Sequence, residues 1–333
     1  QTPSPAKESF EESVAGGWME ESHGSVMHRS SQRLASFAWR AHGLSQALCQ
    51  PPNDSSLAEW SLNLCPDIRF MGDDGTEPEK HRRLLDYQIR EFEGGFVTSG
   101  SIMEGVEVTF EEWASCTDQA VTHLAFAALP DGRTCLGLQY SVTAADRVGY
   151  LAGLRDLHLV VPNDLFNGFE RKVSSESGSL RLNSPPAQDE VLELKSRWLN
   201  VDGRLGVLAL HGGCDLRIHR SAVRRAGKFG SLFVEEVCLH SRSGMERCAP
   251  GQVLVDVGFA VLSGASARET AGVRGGVLPG LPETCRGIWV DGADGKRVVL
   301  TANFGLEKQV LEVSGLKVEL AAGEARLLPM GRI

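Results

Sequence analysis

The chain has 333 residues, of which 42% are hydrophobic and 23% charged, enough for one large β body and a small one. Its formal net charge of -9 argues against a nucleic-acid partner, because phosphate binding needs a concentrated basic surface. No apolar run reaches the roughly 18 residues that a membrane helix needs, so no membrane partner is expected.

Residues 1–17 are rich in Ser, Pro, Glu and Gly and read as a linker. A first residue Gln1 rather than Met suggests a chain cut from something longer. Residues 34–41 alternate, with Phe37 and Trp39 on one side and Ser36, Ala38 and Arg40 on the other, the period-two pattern of a strand. Residues 79–91 are the best helical candidate, although their apolar positions are sparse. The runs 121–129 and 134–140 flank Pro130-Asp131-Gly132, a strong turn signal. Residues 174–190, bearing Ser and Pro, read as a loop. The runs 198–201 and 205–210 flank Asp202-Gly203, a second hairpin, and 253–262 is a long apolar strand. Gly and Pro are dense over 272–282, which marks another break. Beyond it, 288–290 turns into 297–304, and 317–320 turns through 321–324 into 325–328. These two hairpins predict a small β-sandwich. No repeat of fixed period argues for a propeller or solenoid.

The eight cysteines, Cys49, Cys65, Cys116, Cys135, Cys214, Cys238, Cys248 and Cys285, form no C-x-x-C pair. Several lie inside apolar strands and read as small buried hydrophobes. The motifs of zinc proteases, phosphate loops, serine hydrolases and dinucleotide folds are missing. The basic segment from Arg217 to Lys228, with His219, Arg220, Arg224 and Arg225, reads as a solvated strand and turn. His211, His219 and His240 lack ligand spacing, so no metal is expected there. Asn163, Asp164 and Asn167 could offer oxygens to Ca²⁺, but Asn and Asp are also common turn formers.

The order of the strands resembles the back half of the hyaluronate and chondroitin lyase family and its relatives. His28-Arg29 followed by Phe37-Ala38-Trp39-Arg40 resembles the first strands of that family's super-sandwich. Trp113 followed by 124–140 resembles a hairpin that crosses it. Arg197-Trp198-Leu199-Asn200-Val201-Asp202 resembles its later tryptophan-bearing hairpin. Val318-Glu319-Leu320-Ala321-Ala322-Gly323-Glu324-Ala325 resembles the closing hairpin of many carbohydrate-active enzymes. The resemblance implies an all-β fold: a linker at 1–17, a large galactose-mutarotase-like super-sandwich at 18–274 and a small C-terminal β-sandwich at 275–333. It also implies a carbohydrate-active enzyme, foremost a polysaccharide lyase acting on a uronate-containing polysaccharide in an extracellular or periplasmic setting. The family's helical toroid, which carries the acid and base, is not in this sequence. It is expected upstream in the parent chain, and no catalytic residue can be carried over.

The segment from His28 to His42 holds the expected substrate-binding residues. Arg40 and His42 share a strand face with the small Ser36 and Ala38, which leave space for a sugar carboxylate gripped by a guanidinium. His28 and Arg29 are expected nearby. The competing view is that Arg40 pairs with a buried carboxylate. Two other functions fit the same strands: a self-contained aldose or sugar epimerase, which needs a His and a carboxylate converging on the ring, and a non-catalytic carbohydrate-binding module.

Overall fold

The computed structural model of the chain describes residues 13–41, 44–57, 64–72, 75, 77–110, 113–146, 148–213, 215–227, 230–292 and 296–330. Among them the regular structure is almost entirely strand, the all-β class that the turn and alternation signals predict. Strands β1 (Gly16–Glu20), β2 (Ser25–Arg29), β3 (Leu34–Ala41) and β4 (Leu44–Gln50) form an antiparallel meander, followed by β5 (Asp67–Phe70). A second meander comprises β6 (Glu79–Phe92), β7 (Gly95–Phe110), β8 (Trp113–Ala128) and β9 (Thr134–Thr143). Then come β10 (Gly149–Arg155), β11 (Leu159–Pro162), the hairpin β12 (Glu170–Ser175) and β13 (Gly178–Asn183), and β14 (Glu190–Glu193). The hairpin β15 (Trp198–Val201) and β16 (Leu205–His211) precedes β17 (Arg217–Arg220), β18 (Arg225–Gly227), β19 (Gly230–Leu232), β20 (Val234–Cys238), β21 (Ser241–Cys248) and β22 (Val253–Ser263). A six-residue helix α1 (Ala267–Gly272) leads to β23 (Gly275–Val277), β24 (Cys285–Asp291), β25 (Arg297–Asn303), β26 (Gln309–Val313), β27 (Leu316–Leu320) and β28 (Ala325–Met330).

One nine-stranded sheet, in the order β13-β12-β15-β16-β22-β9-β8-β7-β6, is the middle of the molecule. Its front face packs on three small sheets, β1 to β4, β21-β10-β5 and β11-β20-β17-β14. Alternation assigns the side chains. On β8, Leu124 and Phe126 face this front core, while Ala125 and Ala127 face the back. The back face takes Ile288, Val290, Leu300 and Ala302 of the sheet β23-β24-β25-β28. Hairpin β26-β27 closes the far side of that sheet over Cys285, Val299, Leu311 and Leu320. Because both faces of the nine-stranded sheet are covered, β22 carries apolar residues on both faces, Asp256 apart, instead of alternating. Among the described residues no helix is long and apolar enough to cross a membrane.

Three local expectations are corrected. Residues 79–91 are not a helix but most of β6, the edge strand of the large sheet. A bulge between Leu84 and Asp86 breaks the period of two. The inward residues become Leu84, Tyr87 and Ile89, a spacing that mimics a helix in sequence. Residues 174–190 are not one loop. They include β13, whose side chains are mostly exposed and therefore carry no apolar signal. The runs 317–320 and 325–328 do not pair. β27 pairs with β26 and β28 with β25, so the intervening turn steps between sheets. Glu324 holds that step by accepting the Ala321 amide at 2.7 Å, and Gly323 supplies a φ of 68°. Gly16 and Gly17, the last two residues of the expected linker, open β1.

Candidate functional site

Arg40 lies at the end of β3, solvent-exposed, while its neighbours Phe37 and Trp39 point into the front core. Trp39 is locked by its indole N–H, which donates to Thr98 Oγ1 at 2.8 Å, and its ring stacks on Tyr87 with centroids 6.2 Å apart. The Arg40 guanidinium sits 5.8 Å from the centroid of the same Tyr87 ring. Among the described residues it makes no ion pair, so the buried-carboxylate role expected as the alternative is not what the structure shows. Arg40, Trp39, Ser45, Arg82, Leu84 and Ile102 line a cavity of about 270 Å³ between the front meander and β6-β7. Arg82 is buried and donates to Glu104 at 2.6 Å and to the Pro66 carbonyl at 3.2 Å. Burial opposes its charge, but Glu104 outweighs burial and raises the Arg82 pKa.

The other expected binding residues are not gathered here. His28 pairs in register with Ala35 and Arg29 with Leu34, five and six residues along β3 from Arg40, or roughly 16–20 Å. His28 is buried against Arg33, whose Nη2 lies 3.2 Å from its Nδ1. Burial, then the Arg33 charge, depresses its pKa. Arg29 reaches toward the Pro52 carbonyl at 3.4 Å. His42 lies outside the described residues. The oxygens of Asn163, Asp164 and Asn167 are taken up by a capped turn. Asp164 accepts the amides of Leu165 at 2.7 Å and Phe233 at 3.0 Å and pairs with Arg224 at 2.8 Å, while Asn163 accepts from Asn167 at 2.9 Å. The basic segment is solvated at its turn, where Val223 and Arg224 are exposed, but not along its strand. Arg220 is buried between Glu235 and Glu190, and Arg225 lies 3.7 Å from Glu236.

A second constellation, missed in the sequence, runs across five strands on the back face. Ser101 of β7 pairs in register with His123 of β8, His123 with Tyr140 of β9, and Tyr140 with Asp256 of β22. Ser101 Oγ meets His123 Nδ1 at 2.8 Å, and Asp256 meets His211 Nε2 of β16 at 2.9 Å. From β24, Arg286 lies 4.5 Å over the Tyr140 ring and donates to Asp256 at 2.8 Å. Phe304 stacks against His123 at 5.4 Å and Tyr140 at 6.2 Å. Burial pushes the Asp256 carboxyl up, but hydrogen bonds from His211 and Arg286 outweigh it and hold the group below its ordinary range. Burial depresses the His123 imidazole, opposed by the charge of Asp86. The row is half-buried, with the Asp256 and His211 side chains 30% and 27% exposed, so both remain open to a solute.

No family model and no curated protein matches the chain. Among solved structures, the α-galactosidase from Lactobacillus brevis aligns at TM-score 0.47 and 9% identity, over 75% of this chain and 40% of its own. The GH36 α-galactosidase AgaB from Geobacillus stearothermophilus aligns at 0.48 and 8% identity, over 77% of this chain and 42% of its own. The galactosidase domain of the α-galactosidase–sucrose kinase AgaSK aligns at 0.44 and 8% identity, over 75% and 42%. The chain thus spans about two fifths of the length of these enzymes.

Proposed function

We propose that this chain is the β portion of a carbohydrate-active enzyme and that the cavity at Arg40 takes the acidic sugar of a uronate-containing polysaccharide. The observation that carries the reading is an exposed guanidinium at a cavity walled by Trp39 and Arg82, with the Tyr87 ring beside it. A guanidinium grips a carboxylate through two parallel, charge-assisted hydrogen bonds, and an aromatic edge suits the apolar face of a sugar. In a polysaccharide lyase the same grip would neutralise charge on the uronate as its α proton leaves. The acid and base would then come from a helical toroid upstream in the parent chain, working outside the cytoplasm. Titration calorimetry of the wild type and Arg40→Ala with a uronate oligosaccharide, and with a neutral galactoside for comparison, tests this. The variant should lose about ten-fold or more in uronate affinity while keeping its melting temperature. Equal affinity in both proteins refutes the reading.

One observation favours a self-contained sugar epimerase instead. His211 and Asp256 bring together an imidazole and a carboxylate, the two kinds of group that acid–base chemistry at a sugar ring uses. Polarimetry on an aldose separates the two. Catalysed mutarotation that His211→Ala abolishes would favour the epimerase, and no catalysis by the wild type removes it.

A further inference from the structure

At the far end of the large sheet, on its last three strands, His81 of β6, Glu107 of β7 and Cys116 of β8 come together. Their sequence spacing gives no hint of this. Glu107 stands directly opposite Cys116 in the β7-β8 ladder, and His81 stands opposite Gly105, two residues from Glu107 and so on the same face. The His81 Nδ1 lies 3.7 Å and the Cys116 Sγ 3.9 Å from Glu107 Oε2, and all three ligand atoms lie within 4.8 Å of one another.

We propose that His81, Glu107 and Cys116 form a binding site for a borderline-soft divalent cation of the zinc class, with a fourth position open to water or to a ligand from a partner. Zinc bonds of about 2.0 Å to nitrogen and oxygen and about 2.3 Å to sulfur, placed tetrahedrally, separate ligand atoms by roughly 3.3 Å for the N–O pair and roughly 3.5 Å for pairs with the sulfur. The two distances to Glu107, 3.7 and 3.9 Å, exceed these by a few tenths of an ångström and all three atoms lie within 4.8 Å, so side-chain rotations on His81 and Cys116 close the site. A mixed N, O and S donor set suits zinc and cobalt and is wrong for Ca²⁺ or Mg²⁺, which prefer oxygens alone. Three neighbouring strands of one sheet hold the backbone positions, so only side-chain freedom is lost on binding. Cys116 is exposed, whereas Cys49, Cys65, Cys135, Cys238, Cys248 and Cys285 are buried, so the thiol here is accessible to an ion from solution.

The test uses Co²⁺ as a spectroscopic probe on the full chain under a non-thiol reductant. One equivalent of Co²⁺ should produce the thiolate-to-cobalt charge-transfer band and the visible bands of a tetrahedral ion, and Zn²⁺ should displace it. Cys116→Ser should abolish the charge-transfer band, and His81→Ala and Glu107→Gln should each weaken cobalt binding about ten-fold or more. All three positions are at least partly exposed, so a thermal melt without metal should show the variants as stable as the wild type. Absence of the band in the wild type, or its persistence in Cys116→Ser, overturns the proposal.

Discussion

Arg33 offers the sharpest test of how the front meander is fastened to the large sheet. Its side chain is fully buried, and a single nitrogen, Nη1, donates to the carbonyls of Leu129 at 2.8 Å and Thr134 at 2.7 Å. Those carbonyls are the two ends of the Pro130-Asp131-Gly132 turn, and Asp131 itself lies 3.8 Å from the same nitrogen. The Nε of Arg33 has no hydrogen-bond partner, so the burial of this cation is only partly compensated. Hydrogen bonds to a charged group contribute about 1.5–3 kcal/mol each. Arg33→Met keeps the apolar stem but removes the charged donor from both carbonyls, which retain only backbone donors, Gly132 N–H to Leu129 at 3.3 Å and Leu129 N–H to Thr134 at 2.9 Å. We expect a loss of roughly 2–4 kcal/mol, two charge-assisted bonds offset in part by no longer burying a cation. Arg33→Lys should recover less than half of it, because one ammonium on a shorter reach replaces a planar fork. Urea denaturation followed by tryptophan fluorescence measures both. A cost below about 1 kcal/mol for Arg33→Met would mean that the apolar contacts of the meander suffice and that the Arg33 bonds merely replace bonds to water.

Three further outcomes follow from the packing and the charges. Burial, then the charges of Arg155 and Arg217, push the His219 imidazole down to about 4, so between pH ~6.5 and about 4 the unfolded chain binds a proton that the folded chain refuses. Stability should fall as pH drops through that window, and His219→Gln should make the fall shallower; identical slopes in pH-dependent melts would contradict this. Gly137→Ala would put a Cβ 2.2 Å from Phe259 Cζ in the middle of the large sheet, and should cost roughly 1–3 kcal/mol in urea melts. Asp256→Asn removes the carboxylate shared by His211 and Arg286 and should cost roughly 1 kcal/mol in urea melts near neutral pH, while an unchanged midpoint would show that the pairs contribute nothing in solution.

What could be read from the sequence follows the physics of each segment. The bounds of β3 and the hairpin at Asp202-Gly203 were legible because alternation and turn chemistry are local, and both turn residues do adopt positive φ, 53° and 67°. Strand β6 was not, since one bulged residue converts a period of two into a mixed spacing. Arg40 was expected to face space beside Ser36 and Ala38, whereas the cavity it lines is walled by Trp39 and by Ser45, Arg82, Leu84 and Ile102 of other strands, with Tyr87 beside it, which only the front packing brings near. The back row is a matter of register. One part was within reach, because a hairpin closed at Pro130-Asp131-Gly132 places His123 opposite Tyr140 by counting outward from the turn. Asp256, His211, Arg286 and Phe304 could not be added that way, since long connections separate them.

The two candidate sites share a strand. Ile102 of β7 lines the cavity at Arg40, and its immediate neighbour Ser101 points through to the other side and holds His123. The front cavity and the back row therefore stand back to back, one backbone thickness apart. Neither can be reshaped by moving β7 without displacing the other. Occupancy at one should thus be felt as a change in the mobility or ionisation of the other, and the sheet acts as a partition that transmits strain between two compartments while keeping their solutes apart.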